Sequence, residues 1–97
     1  MLIIDTIVQN NTNQLAQLLA QGADPNFTED ADNITPLHYA ISYNCYQAVL
    51  MLLTAGADIN QEASYIPAPI NFALVQKKMA FYNLLIKVSS LCSTAVN

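Results

Sequence analysis

One histidine, two cysteines and a short run of carboxylates are the residues through which this 97-residue chain could do chemistry. His38 is the only side chain whose unperturbed proton equilibrium lies near neutral pH, so it is the sole obvious acid–base candidate. Cys45 follows seven residues later, but a Cys–His pair works only when the two groups meet within hydrogen-bond reach and a third group orients the base. The spacing supplies neither condition. Cys45 and Cys92 are too few and too widely separated for a CxxC-type metal or redox site. The cluster Glu29-Asp30-Ala31-Asp32-Asn33 has the oxygen-rich chemistry of a calcium ligand set. With Asp30 as the first loop position, however, the glycine at position six and the distal bidentate glutamate are both missing. A solvated loop tip is the expectation for it, with a contact patch for a basic partner second. No enzyme, cofactor or metal site follows from these residues.

The elements that must position His38 and Cys45 can be read from caps and stops. Thr35 is an N-cap residue, Pro36 stands at the first helical position where its missing N–H costs nothing, and Leu37, Ala40 and Ile41 form one apolar stripe. Asn44 is the expected stop, since asparagine substitutes for glycine in the left-handed conformation that closes a helix. A second helix over about Tyr46 to Ala55 carries Ala48, Val49, Leu52 and Leu53 on one face and stops at Gly56. Ala57 to Ile66 then reads as a polar, hairpin-like loop.

This unit repeats. Leu18-Leu19-Ala20-Gln21-Gly22-Ala23-Asp24-Pro25-Asn26 returns 34 residues later as Leu52-Leu53-Thr54-Ala55-Gly56-Ala57-Asp58-Ile59-Asn60. Moving 33 residues forward from Pro36, Leu37, Tyr39 and Ala40 gives Pro69, Ile70, Phe72 and Ala73; moving 34 back from Leu37 and Ile41 gives Ile3 and Ile7. The phrase Thr35-Pro36-Leu37-His38-Tyr39-Ala40, with the helical pair and loop around it, resembles the ankyrin repeat. The resemblance covers nearly everything from Met1 to about Ser89. It implies an all-α solenoid of stacked helix pairs in a single domain, with repeats at about 1–33, 34–66 and 67–90 and a short tail over 91–97. It also implies that His38 hydrogen-bonds to Thr35 and the neighbouring turn backbone, and that Cys45 replaces a histidine usual at its helix start.

The outer repeats depart from the pattern. The first has Met1-Leu2-Ile3-Ile4-Asp5-Thr6 in place of the central phrase and Gln14 where the second has Ala48. The third has Ala68 for the threonine, Asn71 for the histidine, Lys77 at the stop and Ser89 for the terminal glycine. Terminal repeats look like this because one face of each must meet water. Phe81, Tyr82 and Leu91 nevertheless keep an apolar C-terminal end within reach of solvent.

Composition narrows the function. Only 10% of residues are charged against about 25% in an ordinary domain, there is no arginine, and the net charge is −4. Nucleic acid is therefore not an expected partner, since no basic stripe is present to neutralise phosphate. All seven acids lie between Asp5 and Glu62, and all three lysines, Lys77, Lys78 and Lys87, lie in the last repeat. No apolar run approaches the roughly 18 residues of a membrane span, and Leu2-Ile3-Ile4, broken by Asp5, lacks the basic flank of a signal peptide. A Cys45–Cys92 disulfide is not expected, because it needs Cα atoms within about 7 Å and the stack separates the two. Reduced thiols and a cytoplasmic setting are the default.

By resemblance, the partner is a protein, bound at the loop tips and the inner face of the first helices. The matching tip residues are Ala31, Asp32, Ile34, Ser64, Tyr65 and Pro67; the matching helix residues are Val8, Gln9, Ser42, Tyr43, Val75 and Gln76. Tyr43 and Tyr65 lead, because tyrosine offers a large rigid contact area with a hydroxyl. Tyr39 and Phe72 are expected to pack between repeats instead. Acidic tips suit a partner with some basic character. Two alternatives stay open: self-association through the terminal repeats into a homo-oligomer, or a small bacterial effector acting on a host protein.

Overall fold

The computed structural model describes residues 3–28 and 31–96, with side chains to residue 88. Within them the chain forms six helices and no strand: α1 (Ile3–Val8), α2 (Thr12–Ala20), α3 (Pro36–Ser42), α4 (Tyr46–Thr54), α5 (Pro69–Val75) and α6 (Met79–Val96). They pair as α1 with α2, α3 with α4 and α5 with α6. The pairs stack so that the short first helices form one layer and the second helices another.

Local chemistry sets the helix limits. Thr35 caps α3 by accepting from the His38 amide at 3.3 Å, with Pro36 at the first helical position. Asn11 caps α2 in the same way, accepting from the Gln14 amide at 3.1 Å. Each first helix then ends in a left-handed residue: Asn10 (φ 56°), Asn44 (φ 59°) and Lys77 (φ 58°). Around Asn44 the closing bonds run from its own N–H to the Ile41 carbonyl at 3.1 Å and from the Cys45 N–H to the Ala40 carbonyl at 2.8 Å. This arrangement satisfies carbonyls that the helix itself leaves open. Lys77 adopts the same turn despite its Cβ, a conformation that most non-glycine residues avoid.

The apolar stripes meet in one core. Ile7, Leu15, Leu37, Ile41, Val49, Leu52, Ala73 and Leu85 are fully enclosed, with Leu19, Tyr39, Leu53, Ile70, Phe72 and Tyr82 packed around them. Tyr39 and Phe72 thus pack between repeats as their register implies. The second helices differ in length. α2 and α4 have nine residues each, stopped at Gly22 and Gly56 with φ of 95° and 98°, whereas α6 runs for eighteen. With Ser89 where that glycine would stand, nothing favours a left-handed stop, and the helix continues past residue 90 through Val96.

Candidate interaction face

His38 stands at the centre of the region that the sequence singles out. Its ring is buried and bonded on both sides. The Thr35 N–H donates to Nδ1 at 3.1 Å, with Thr35 Oγ1 2.8 Å from the same nitrogen. Because Nδ1 accepts, the proton resides on Nε2, which donates to the Pro67 carbonyl at 2.7 Å. Burial lowers the His38 pKa below its ordinary value, and the bond to Pro67 offsets that only in part. Phe72 meets the ring edge-on with centroids 5.7 Å apart. A neutral imidazole locked between a cap and the next repeat's loop positions structure, and the Thr35 hydroxyl beside it serves the helix cap.

Other bonds carry the same link from repeat to repeat. Asp24 and Asp58 each fold their loop by accepting from the amide of Asn26 and Asn60, at 2.9 Å. Asn26 Oδ1 then accepts from the Asp58 amide at 2.7 Å, tying the first loop to the second. At the tips, the Ser64 N–H donates to the Asp32 carbonyl at 2.8 Å and the Ser64 hydroxyl reaches the Ala31 carbonyl at 3.4 Å. The second tip closes through Ala63 N–H to the Ile66 carbonyl at 3.0 Å. Along the helix bottoms, Cys45 Sγ lies 3.7 Å from both the Ile7 carbonyl and Asn10 Oδ1. One repeat on, Lys78 Nζ donates to the Ile41 carbonyl at 2.9 Å and to Asn44 Oδ1 at 2.8 Å. Cys45 is thus a half-buried free thiol facing the preceding repeat, while the side chain of Cys92 lies outside the described residues.

A groove of about 250 Å³ lies where the second repeat meets the third. Ile34, His38, Tyr39, Ser42, Tyr43, Ile66 and Phe72 line it. Of the twelve residues named from the sequence, Ile34, Ser42 and Tyr43 lie in this groove. Ala31, Asp32, Ser64 and Tyr65 are exposed on the tips, Tyr65 to 89%, and Pro67 is half-buried with its carbonyl committed to His38. Val8 and Gln9 sit exposed at the end of α1, and Val75 and Gln76 at the end of α5, outside the groove. Sequence reasoning missed Tyr39, Ile66 and Phe72 as lining residues. Tyr39 is four residues before Tyr43 on the same helix face, a spacing that places the two together, so that signal was available. Ile66 lies in a loop without periodicity and gave none.

Among the described residues no three of His, Cys, Asp and Glu gather as a metal site would require, and Glu29 and Asp30 of the acidic cluster lie outside those residues. No helix among them is long and apolar enough to cross a membrane. What remains is a stack of helix–loop–helix repeats that presents one continuous face built from short helices and loop tips. The pattern of ankyrin repeats, described in three copies, matches residues 3–63, and this chain belongs to the ankyrin repeat family.

Relatives agree. The chain is similar to the Neurogenic locus Notch protein of Drosophila melanogaster, 34% identical over 84 residues that make up 82% of this chain and 3% of that protein. It is 35% identical over 77 residues to an ankyrin repeat protein of fowlpox virus, covering 77% of this chain and 11% of the relative. It is 38% identical over 72 residues to the human Ankyrin repeat and SOCS box protein 2, covering 70% of this chain and 11% of the relative. The chain therefore spans only a small part of the length of each. Ankyrin repeats are generally protein–protein interaction modules, and the family is typically non-enzymatic.

Proposed function

We propose that this chain is a non-enzymatic binding module that holds a partner protein in the groove between its second and third repeats. The observation that carries this reading is the apolar groove itself, walled by Tyr39, Tyr43 and Phe72 and rimmed by exposed tips. Aromatic side chains fixed by packing on the core bring contact area at little entropic cost, as binding hot spots do. Tyr43 is half exposed at 51%, so its ring is both anchored and accessible. Asp32 on the tip and Glu62 in the second loop, both exposed, favour a partner with a basic patch beside its apolar anchor.

The test is affinity capture with the intact chain and with a Tyr43→Ala, Asp32→Lys variant matched for folding by circular dichroism. The expected outcome is a partner retained by the first and lost by the second. Equal retention by both would place the contact elsewhere on the stack.

A further inference from the structure

The groove between the second and third repeats carries opposite charge at its two ends. At the tip end, exposed Asp32 stands two residues before the lining residue Ile34, and the Ser64 N–H on the Asp32 carbonyl at 2.8 Å sets the second tip beside the first. That second tip brings exposed Glu62, next to Ala63, whose N–H donates to the carbonyl of the lining residue Ile66 at 3.0 Å. At the other end, where Ser42 and Tyr43 line the groove, Lys78 Nζ donates to the Ser42 carbonyl at 3.3 Å, the Ile41 carbonyl at 2.9 Å and Asn44 Oδ1 at 2.8 Å. All three acceptors are neutral, so these bonds fix the ammonium in place without cancelling its charge. Exposed Lys77 adds a second cation beside it.

The two poles act separately. Between them runs α3, whose seven residues at roughly 1.5 Å each span about 10 Å, more than the Debye length of about 8 Å at physiological ionic strength. A net charge of −4 therefore does not make the whole groove acidic. Size decides the kind of occupant. At about 250 Å³ the groove falls below the roughly 300–1,000 Å³ that encloses a small ligand, so it suits side chains of a longer chain lying across it. An extended chain advances about 3.3 Å per residue, so about three residues reach from one pole to the other.

Given the binding function proposed for the groove, on which this assignment rests, we propose that the occupant is an extended segment of the partner with a cationic side chain at the tips, apolar side chains against Tyr39 and Tyr43, and a carboxylate at Lys77 and Lys78. Opposite charge at each end gives the segment a fixed charge order along α3. A uniformly basic segment satisfies the tips and meets like charge at Lys78; a uniformly acidic one does the reverse.

The test uses the full chain and three labelled peptides of about nine residues with blocked ends, read by fluorescence anisotropy. They share a central apolar trio and carry lysine at one end and glutamate at the other, lysine at both, or glutamate at both. At low salt the mixed peptide is expected to bind at least about threefold more tightly than either of the others, with the difference lost at about 1 M salt. Lys77→Asp, a residue that tolerates the left-handed turn, should remove the penalty on the peptide with two lysine ends. Glu62→Lys, in an exposed loop, should remove the penalty on the peptide with two glutamate ends. Tyr43→Ala should weaken all three. In NMR spectra a spin label at the lysine end of the mixed peptide should broaden the amides of residues 62–65, and one at the glutamate end those of residues 75–78. A two-lysine peptide that binds as tightly as the mixed one would overturn the charge order while leaving the groove as the site. Binding indifferent to Tyr43→Ala, or no binding by any of the three, would overturn the assignment; the groove as a protein-binding site would then stand or fall on capture by the intact chain and its Tyr43→Ala, Asp32→Lys variant.

Discussion

At the scale of the residue, His38 concentrates more structure than any other side chain. It completes a reciprocal cap with Thr35 and reaches across to Pro67, so one ring serves the start of α3 and the junction with the third repeat. Replacing it by leucine leaves the Thr35 N–H and the Pro67 carbonyl without that partner. A loss of about 2–3 kcal/mol is expected for two such groups in urea unfolding. The ring also sets a pH dependence. Its folded pKa lies below the ordinary value of about 6.5, so between the two values the unfolded chain binds more protons than the folded one. Its contribution is therefore complete above about pH 6.5 and is lost as the pH falls through the folded pKa. Urea midpoints between pH 7.5 and 5 should fall with decreasing pH in the native chain, and the part of that slope due to His38 should vanish in His38→Leu. The Thr35–His38 bond was legible from the phrase that contains it. The register implies bonding to turn backbone, and the bond to Pro67 reaches the next repeat, 29 residues on.

At the scale of the element, helix limits were legible wherever a cap or stop residue stood in its usual place. Thr35, Pro36, Asn44 and Gly56 fix α3 and α4 to within a residue of their reading. The third repeat was less legible for a physical reason. Lys77 is not a residue that favours φ of 58°, and it holds the turn because the neighbouring packing and the bond from the Lys78 N–H to the Ala73 carbonyl at 2.9 Å require it. Lys77→Gly should accordingly raise stability by about 0.5–1 kcal/mol in thermal unfolding, by removing the Cβ penalty. Lys78 acts on a different element, closing the C-terminus of α3 through Ile41, Ser42 and Asn44. A cation there also meets the negative end of the helix dipole, so Lys78→Met should cost about 1 kcal/mol in the same measurement.

At the scale of the whole molecule, the stack stands or falls together, because no helix pair can bury its own apolar stripe. Loops and helix bottoms tie each repeat to the next through Asn26 to Asp58, Asp32 to Ser64, His38 to Pro67 and Lys78 to Ile41. A chain ending at residue 66 retains two repeats, below the usual minimum of about three, and should show no cooperative thermal transition where the full chain shows one. The all-helical stack of helix pairs was legible from register alone. The groove was legible only in part, since Ile34, Ser42 and Tyr43 follow from helix and loop position, whereas Ile66 comes from the second repeat's own irregular loop and Phe72 enters from the next repeat once it has stacked. The most direct test of the interaction face is amide hydrogen exchange of the chain with and without its captured partner. The expected result is protection gained over residues 34–43 and 64–72, with α2 and α4 unchanged; protection centred on α2 and α4, or none in the groove, would contradict a partner seated between the second and third repeats.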